Sequence, residues 1–218
     1  MPVTPGLHLN PKKTWFYLTV SGIIRFLSLV VYRPTIVGRE NIPLKGPVII
    51  APIHRSNADF AFSLFLSRRK IFFMSKDSLF RVALLGPAIA TLGAFPVNRA
   101  SADRESMRAS EAVLEAGEAL LLFPEGTRKF GPSVLDLRDG AMFIAGRTQA
   151  SVVPVGIAGS DHLFGPKGNR HWPHVRIVIG APILPPRNEG RVSRREVSAK
   201  TEELRVALQA AYHEALAN

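Results

Sequence analysis

The chain contains no cysteine. That absence excludes disulfide staples, thiolate metal sites and a cysteine nucleophile. Any thioester chemistry would have to bring its sulfur on a substrate. Acidic residues are also scarce, 17 Asp and Glu against 28 Lys and Arg, leaving a formal net charge of +11. Such an excess favours anionic partners, whether nucleic acid, anionic lipid or a phosphorylated small molecule, without choosing among them. The basic residues are spread along the chain and no nucleic-acid-binding motif accompanies them, so nucleic acid is not expected as a partner. There is neither an internal repeat nor a low-complexity tract. Hydrophobic residues make up 46% of 218 residues. This suits one domain with a sizeable core and a short appendage.

The longest apolar run is TWFYLTVSGIIRFLSLVVY, Thr14–Tyr32, interrupted only by Arg25. As a helix it would extend about 28 Å, close to the roughly 30 Å of a bilayer core. An Arg near the middle costs about 2.5–3.5 kcal/mol on insertion, and Lys12, Lys13 and Arg33 put positive charge at both ends. The expected form is a helix that dips into one leaflet, with Trp15, Tyr17 and Tyr32 at the interface and Arg25 snorkelling outward. A helix packed in the core is the competing reading. A secretory signal is disfavoured, because Arg25 breaks its apolar centre and no small-residue cleavage site follows. The chain divides into residues 1–36, a membrane-associated helical segment, and 37–218, the main body.

In the body, short apolar runs at 48–51, 71–74, 94–97, 119–123, 152–157 and 175–179 read as buried strands. Between them, 57–66, 78–92 (broken at Gly86-Pro87), 103–116 and 139–147 read as helices, with Gly117 ending the third. A final helix opens on a capping box, Ser193 with Glu196, and carries an apolar stripe of Leu204, Leu208, Tyr212 and Leu216. The alternation predicts an α/β domain with a largely parallel central sheet flanked by helices.

Three segments carry chemistry. His54 and Asp59 follow the first strand, about 140° apart on an ideal helix. They can meet only if His54 lies on the loop and Asp59 in the first helical turn, with Ser56 as N-cap. Asp59 would then orient one ring nitrogen of His54 and leave the other as a general base. Alternatively, Ser56-Asn-Ala-Asp59 is a loose capping box and His54 an ordinary loop histidine. The second segment, Phe-Pro-Glu-Gly-Thr-Arg at 123–128, runs from a strand into a loop, where open α/β sheets bind ligands. Arg128 offers a planar fork suited to phosphate. Glu125 could orient Arg128 or bind a substrate hydroxyl, or the two could be a plain surface pair. The third segment, Gly93 to Arg99, ends a strand on another arginine, and Lys76 and Arg138 would widen the positive surface.

In this order the segments resemble the glycerolipid acyltransferases, especially those that acylate lysophosphatidic acid. The family's His-x4-Asp block is similar to His54–Asp59, its Gly-to-Arg block to residues 93–99, and its Phe-Pro-Glu-Gly-Thr-Arg block is matched in full at 123–128. A Pro-centred apolar block is matched at Val152, Val153, Pro154 and Val155, so that the likeness covers residues 35–185. Where many members carry Asn before the His, this chain has Ile53. Family members that act on glycerolipids carry Asp at the position of Asp59, and relatives acting on lipid A more often carry Glu.

The resemblance implies that His54 and Asp59 form the catalytic dyad, that Arg99, Glu125, Gly126, Thr127 and Arg128 hold the glycerol phosphate, and that Arg55 or amides at the helix start stabilise the oxyanion. It implies acyl transfer from acyl-CoA or acyl carrier protein to 1-acyl-glycerol-3-phosphate, giving phosphatidic acid, without an acyl-enzyme, a bound cofactor or a metal. Another lysolipid, glycerol-3-phosphate or a glycolipid are alternative acceptors. The expected location is a monotopic site on the cytoplasmic face of the cell membrane. Phe60, Phe62, Phe65, Phe72 and Phe73 are either core or the lining of an acyl tunnel.

Overall fold

The computed structural model describes residues 14–67, 69–83, 85–97, 102–161, 174–187 and 192–217. Seven strands form one sheet: β1 (Thr35–Val37), β2 (Val48–Pro52), β3 (Ile71–Lys76), β4 (Ala94–Val97), β5 (Ala119–Leu121), β6 (Ser151–Ala158) and β7 (Arg176–Ile179). Their spatial order is β1-β7-β6-β2-β5-β3-β4. The run from β6 through β2, β5 and β3 to β4 is parallel throughout. β7 pairs antiparallel with β6, and β1 pairs parallel with β7. The sheet is therefore mostly parallel, with a reversed edge.

β2 lies at the centre, and all five of its residues are buried. This is why its sequence, VIIAP, shows no alternation: helices cover both faces. The helices are α1 (Thr14–Tyr32), α2 (Asp59–Leu66), α3 (Asp77–Phe80), α4 (Leu85–Thr91), α5 (Ala102–Glu115), α6 (Gly140–Thr148) and α7 (Arg194–Leu216). Two apolar clusters form the core, one on each side of the sheet residues Ile49 and Ile50. α7 packs on β6 and β7. It comes so close at Gly156 that a Cβ there would lie 2.4 Å from the carbonyl carbon and oxygen of Ala211.

Several local expectations change. The helix predicted over 78–92 breaks at residues 81–83 and not at Gly86-Pro87; Gly86 and Pro87 fall in the first turn of α4, where proline lacks only an amide that would be unpaired anyway. α5 ends as expected on Gly117. Gly117 N–H bonds Leu114 O at 2.8 Å and Glu118 N–H bonds Val113 O at 3.2 Å, the paired bonds of a Schellman turn. The capping box at α7 does not form. Ser193 makes no capping bond, and the Glu196 carboxylate instead accepts from Arg187 N–H at 2.8 Å. Leu204, Leu208 and Tyr212 are buried, but Leu216 is exposed and Ala215 takes the buried position in the last turn. β1 was not expected; three residues carry too little pattern to read.

α1 is turned inside out relative to an ordinary surface helix. Its buried side carries Ser21, Ser28 and Tyr32, while Trp15, Leu18, Ile23, Phe26, Leu27, Leu29 and Val30 are exposed. Arg25 does not snorkel outward. Its guanidinium turns inward to donate to Leu64 O and, at 3.3 Å, to Ser67 O at the end of α2. Those carbonyls have no partner within the helix, and a cation at a helix C-terminus is favoured by its dipole. At the other end of α1, the Tyr32 ring meets Phe62 edge-on, with centroids 5.0 Å apart. Among the described residues no helix is long and apolar enough to cross a membrane.

Candidate active site

The site lies beyond the carboxyl ends of the neighbouring parallel strands β2 and β5, where the loops after each strand face one another. β2 ends at Pro52 and delivers His54 on the loop. Residues 57 and 58 make a turn, and α2 begins at Asp59, slightly later than the sequence suggests. The delay puts both side chains on the same side of the bend. His54 Nδ1 and Asp59 Oδ2 are 2.9 Å apart. The Asp59 side chain is fully buried, while that of His54 keeps 13% of its surface exposed.

Ala58, not Ser56 as expected, is the N-cap of α2, and no side chain caps it, so Asp59 acts on the loop before the helix. Its Oδ2 accepts from the amides of Arg55 and Ser56, each at 2.8 Å, besides facing the imidazole. Ser56 Oγ accepts from Ala58 N–H at 3.2 Å. The carboxylate thus folds the loop back on itself and holds the ring in that fold. Because Asp59 is a carboxylate, Nδ1 is the protonated nitrogen, which leaves Nε2 with its lone pair. Nε2 has no hydrogen bond among the described residues. Asp59 Oδ1 is buried and has none either.

The ring of His54 is held from its flat side too. Phe123 stacks on it with centroids 4.0 Å apart and planes 25° apart. Phe60 approaches Phe123 edge-on at 5.0 Å and lies tilted by 46° to Phe73 at 5.4 Å. Of the five phenylalanines singled out in the sequence, Phe62, Phe65 and Phe72 are core, whereas Phe60 and Phe73 form a half-buried aromatic wall beside His54.

The loop after β5 carries residues 123–128. Glu125 is buried and pairs with Arg55, not with Arg128. Arg55 Nη1 lies 2.7 and 3.0 Å from its two oxygens. Glu125 Oε2 also accepts from the backbone N–H of His54 at 3.1 Å. Arg55 donates further to Gly131 O at 3.3 Å and Ser133 O at 3.0 Å, and its guanidinium lies 5.2 Å from the Tyr212 ring centre. Burial pushes the Tyr212 phenol above its usual range, an effect the Arg55 charge opposes.

The expectation that the Arg55 guanidinium meets an oxyanion is therefore corrected. The guanidinium is occupied by Glu125 and loop carbonyls, and the amides of Arg55 and Ser56 are occupied by Asp59. Gly126, Thr127 and Arg128 are exposed at the loop tip. Arg99 lies outside the described residues, as do the side chain of Lys76 and part of the segment that follows β4.

Sequence reasoning did not find the clamp around the loop at residues 129–134. Lys129 N–H bonds His54 O at 3.0 Å. Gln209 of α7 accepts from Val134 N–H at 2.7 Å and donates to Pro132 O at 3.1 Å. These partners are separated by about seventy-five residues along the chain, and no local pattern announces them.

A histidine paired with a buried carboxylate, its second nitrogen without a partner among the described residues, at the carboxyl edge of an α/β sheet is an arrangement that can serve general-base chemistry. The chain belongs to the acyltransferase family, whose family model matches residues 33–158. Among its relatives, a 1-acyl-sn-glycerol-3-phosphate acyltransferase of Chlamydomonas reinhardtii is 32% identical over 72% of this chain and 48% of that protein. A chloroplastic enzyme of the same name from Arabidopsis thaliana is 27% identical over 81% of this chain and 51% of its own. The chain thus spans about half the length of these curated relatives. The crystal structure of the 1-acyl-sn-glycerophosphate acyltransferase PlsC from Thermotoga maritima superimposes with a TM-score of 0.73 at 25% identity, over 98% of this chain and 86% of that one.

Proposed function

We propose that this chain transfers a fatty acyl group from acyl-CoA or acyl carrier protein to the free hydroxyl of 1-acyl-glycerol-3-phosphate at a membrane surface, giving phosphatidic acid for phospholipid synthesis. The observation that carries the reading is the pairing of His54 Nδ1 with Asp59 at 2.9 Å. It leaves Nε2, which has no partner among the described residues, to act as the base. The names of the relatives supply the acceptor.

In the reaction, His54 Nε2 takes the proton of the acceptor hydroxyl as its oxygen attacks the thioester carbonyl carbon. The C–S bond of the tetrahedral intermediate then breaks. The departing thiolate recovers the proton from the imidazolium, so that an ester and a free thiol result and the protein ends unchanged. Asp59 stabilises the transient imidazolium and fixes the ring. Glu125, by bonding the His54 backbone and Arg55, is a positioning residue. Gly126, Thr127 and Arg128 at the loop tip bind the glycerol phosphate together with Arg99. Phe60, Phe73 and Phe123 offer acyl chains an apolar wall. The exposed face of α1 supplies contact with lipid on the cytoplasmic side of the cell membrane.

The test is transfer from labelled acyl-CoA, and separately from labelled acyl carrier protein, to a panel of lysolipids with His54→Ala as control. Labelled phosphatidic acid from the unmutated protein alone is the expected result. Acylation of a different lysolipid, of glycerol-3-phosphate or of a glycolipid would replace the acceptor, and equal activity in His54→Ala would remove the base.

A further inference from the structure

We infer that Arg138 is a second cationic ligand for the phosphate of the acceptor, forming with Arg128 a two-arginine cradle over the turn at Gly126. The inference rests on the reaction proposed above and adds to it a residue that lies outside the matched motif.

The geometry begins with the loop that joins β5 to α6. Its first limb turns at residues 123–126, where Gly126 N–H bonds Phe123 O at 3.1 Å. Its last limb returns alongside, where Arg138 N–H bonds Pro124 O at 2.9 Å. From that anchor the Arg138 side chain crosses directly over Gly126. A Cβ on Gly126 would stand 2.6 Å from Arg138 Nε, 2.9 Å from Cδ and 3.3 Å from Cζ. Gly126 is also in the left-handed region, with φ at +71°. Glycine is needed here twice over: for the turn, and to leave room for the arginine that lies across it.

What Arg138 lacks is as telling as where it lies. Arg25, Arg55 and Arg69 all spend their guanidinium groups on buried carbonyls or a carboxylate. The Arg138 side chain is exposed and makes no hydrogen bond or ion pair among the described residues, and the same holds for Arg128. The amides of Thr127 and Arg128, which follow the left-handed glycine, also have no partner among the described residues. Successive open amides after such a turn form a concavity suited to an anion. The Arg138 guanidinium thus lies over an exposed turn that is followed directly by Thr127 and Arg128, whose amides and side chains have no partner among the described residues. A phosphate monoester, with its charge and several acceptor oxygens, satisfies that set.

Both substrates can carry phosphate, and the position favours the acceptor. Glu125, next to Gly126 in the chain, holds the backbone of the base at 3.1 Å. In 1-acyl-glycerol-3-phosphate the phosphate is attached to the carbon adjacent to the one bearing the reactive hydroxyl. The phosphates of coenzyme A are separated from the thioester by the whole pantetheine arm.

The experiment has a kinetic and a binding arm. In Arg138→Gln, KM for 1-acyl-glycerol-3-phosphate should rise about tenfold, with kcat and KM for acyl-CoA within about twofold of the unmutated protein. Gly126→Ala, which displaces Arg138, should raise the same KM. In the binding arm, arginine Nε–H resonances of the labelled full chain in micelles are followed during titration with glycerol-3-phosphate. Those of Arg128 and Arg138 should both shift, and the Arg128 shift should saturate at a higher concentration in Arg138→Gln. An acceptor KM unchanged in Arg138→Gln, or an Arg138 resonance that glycerol-3-phosphate leaves in place, overturns the inference. A rise confined to the KM for acyl-CoA overturns the assignment to the acceptor. Shifts of both arginines in a protein that acylates no lysolipid would keep the phosphate site and sink the reaction instead.

Discussion

Glu125 and Arg55, seventy residues apart in sequence, meet at 2.7 Å in the interior and together hold the loop that carries His54. Glu125 bonds the His54 amide, and Arg55 draws in the carbonyls of residues 131 and 133. Their side chains are 0% and 3% exposed respectively. Removing one member of a buried pair strands the other charge at a cost of about 3–5 kcal/mol. Glu125→Gln should therefore lower stability by that order, read from the urea midpoint. At temperatures where it stays folded, it should reduce kcat and leave the acceptor KM nearly unchanged. A raised acceptor KM with normal kcat would make Glu125 a substrate ligand instead.

Asp59→Asn tests the dyad from its buried side. The substitution keeps the shape of the side chain and one oxygen to accept from the amides of Arg55 and Ser56. It removes the charge that fixes the proton on His54 Nδ1 and stabilises the imidazolium. A fall in kcat of about 10²–10⁴ is expected, with far-ultraviolet circular dichroism unchanged. Activity within a factor of a few of the unmutated protein would reduce Asp59 to a brace of the loop before α2.

The parts of this site that were legible in the sequence are those in which neighbours along the chain do the work. The turn at 54–59 could be drawn because only one loop geometry lets His54 reach Asp59. The strands at 48–51 and 119–123 could be read, though the second ends at Leu121, because a doubly covered strand is uniformly apolar. Arg25 was placed wrongly. Its side chain was weighed against lipid, while the partners it found were carbonyls left open at the end of α2. The partner of Glu125 was missed for a similar reason: its nearest arginine in sequence is Arg128, but the one it pairs with comes from another strand's loop. The reversed edge of the sheet is set where β7 pairs antiparallel with β6 over four residue pairs, with β1 adding three more on β7, and no periodic signal marks either.

Gly156 offers a check on the packing of α7. Any side chain there would meet the backbone of Ala211 and Tyr212, which cannot swing aside. Gly156→Ala should destabilise the protein by about 1–3 kcal/mol, the usual range for forcing extra volume into a packed core. Because α7 also carries Gln209 and Tyr212, the displaced helix should slacken the 129–134 loop, visible as faster amide exchange at Val134. A thermal midpoint equal to that of the unmutated protein would mean that α7 is seated differently on β6.

The two faces of α1 make opposite predictions. Leu18, Phe26 and Val30 are exposed and touch nothing that the fold requires, whereas Arg25 joins α1 to α2. Replacing all three apolar residues with Ser should weaken binding to anionic liposomes at least about tenfold, since burying one such side chain contributes about 1.5–3 kcal/mol. The thermal midpoint in solution should barely move. Arg25→Leu should do the reverse. It removes the donor to Leu64 O and Ser67 O, at about 0.5–1.5 kcal/mol for each lost bond, and lowers the midpoint without weakening liposome binding. If the triple variant binds liposomes as well as the unmutated protein, the lipid contact lies elsewhere, and the exposed face of α1 must be covered by something other than a bilayer.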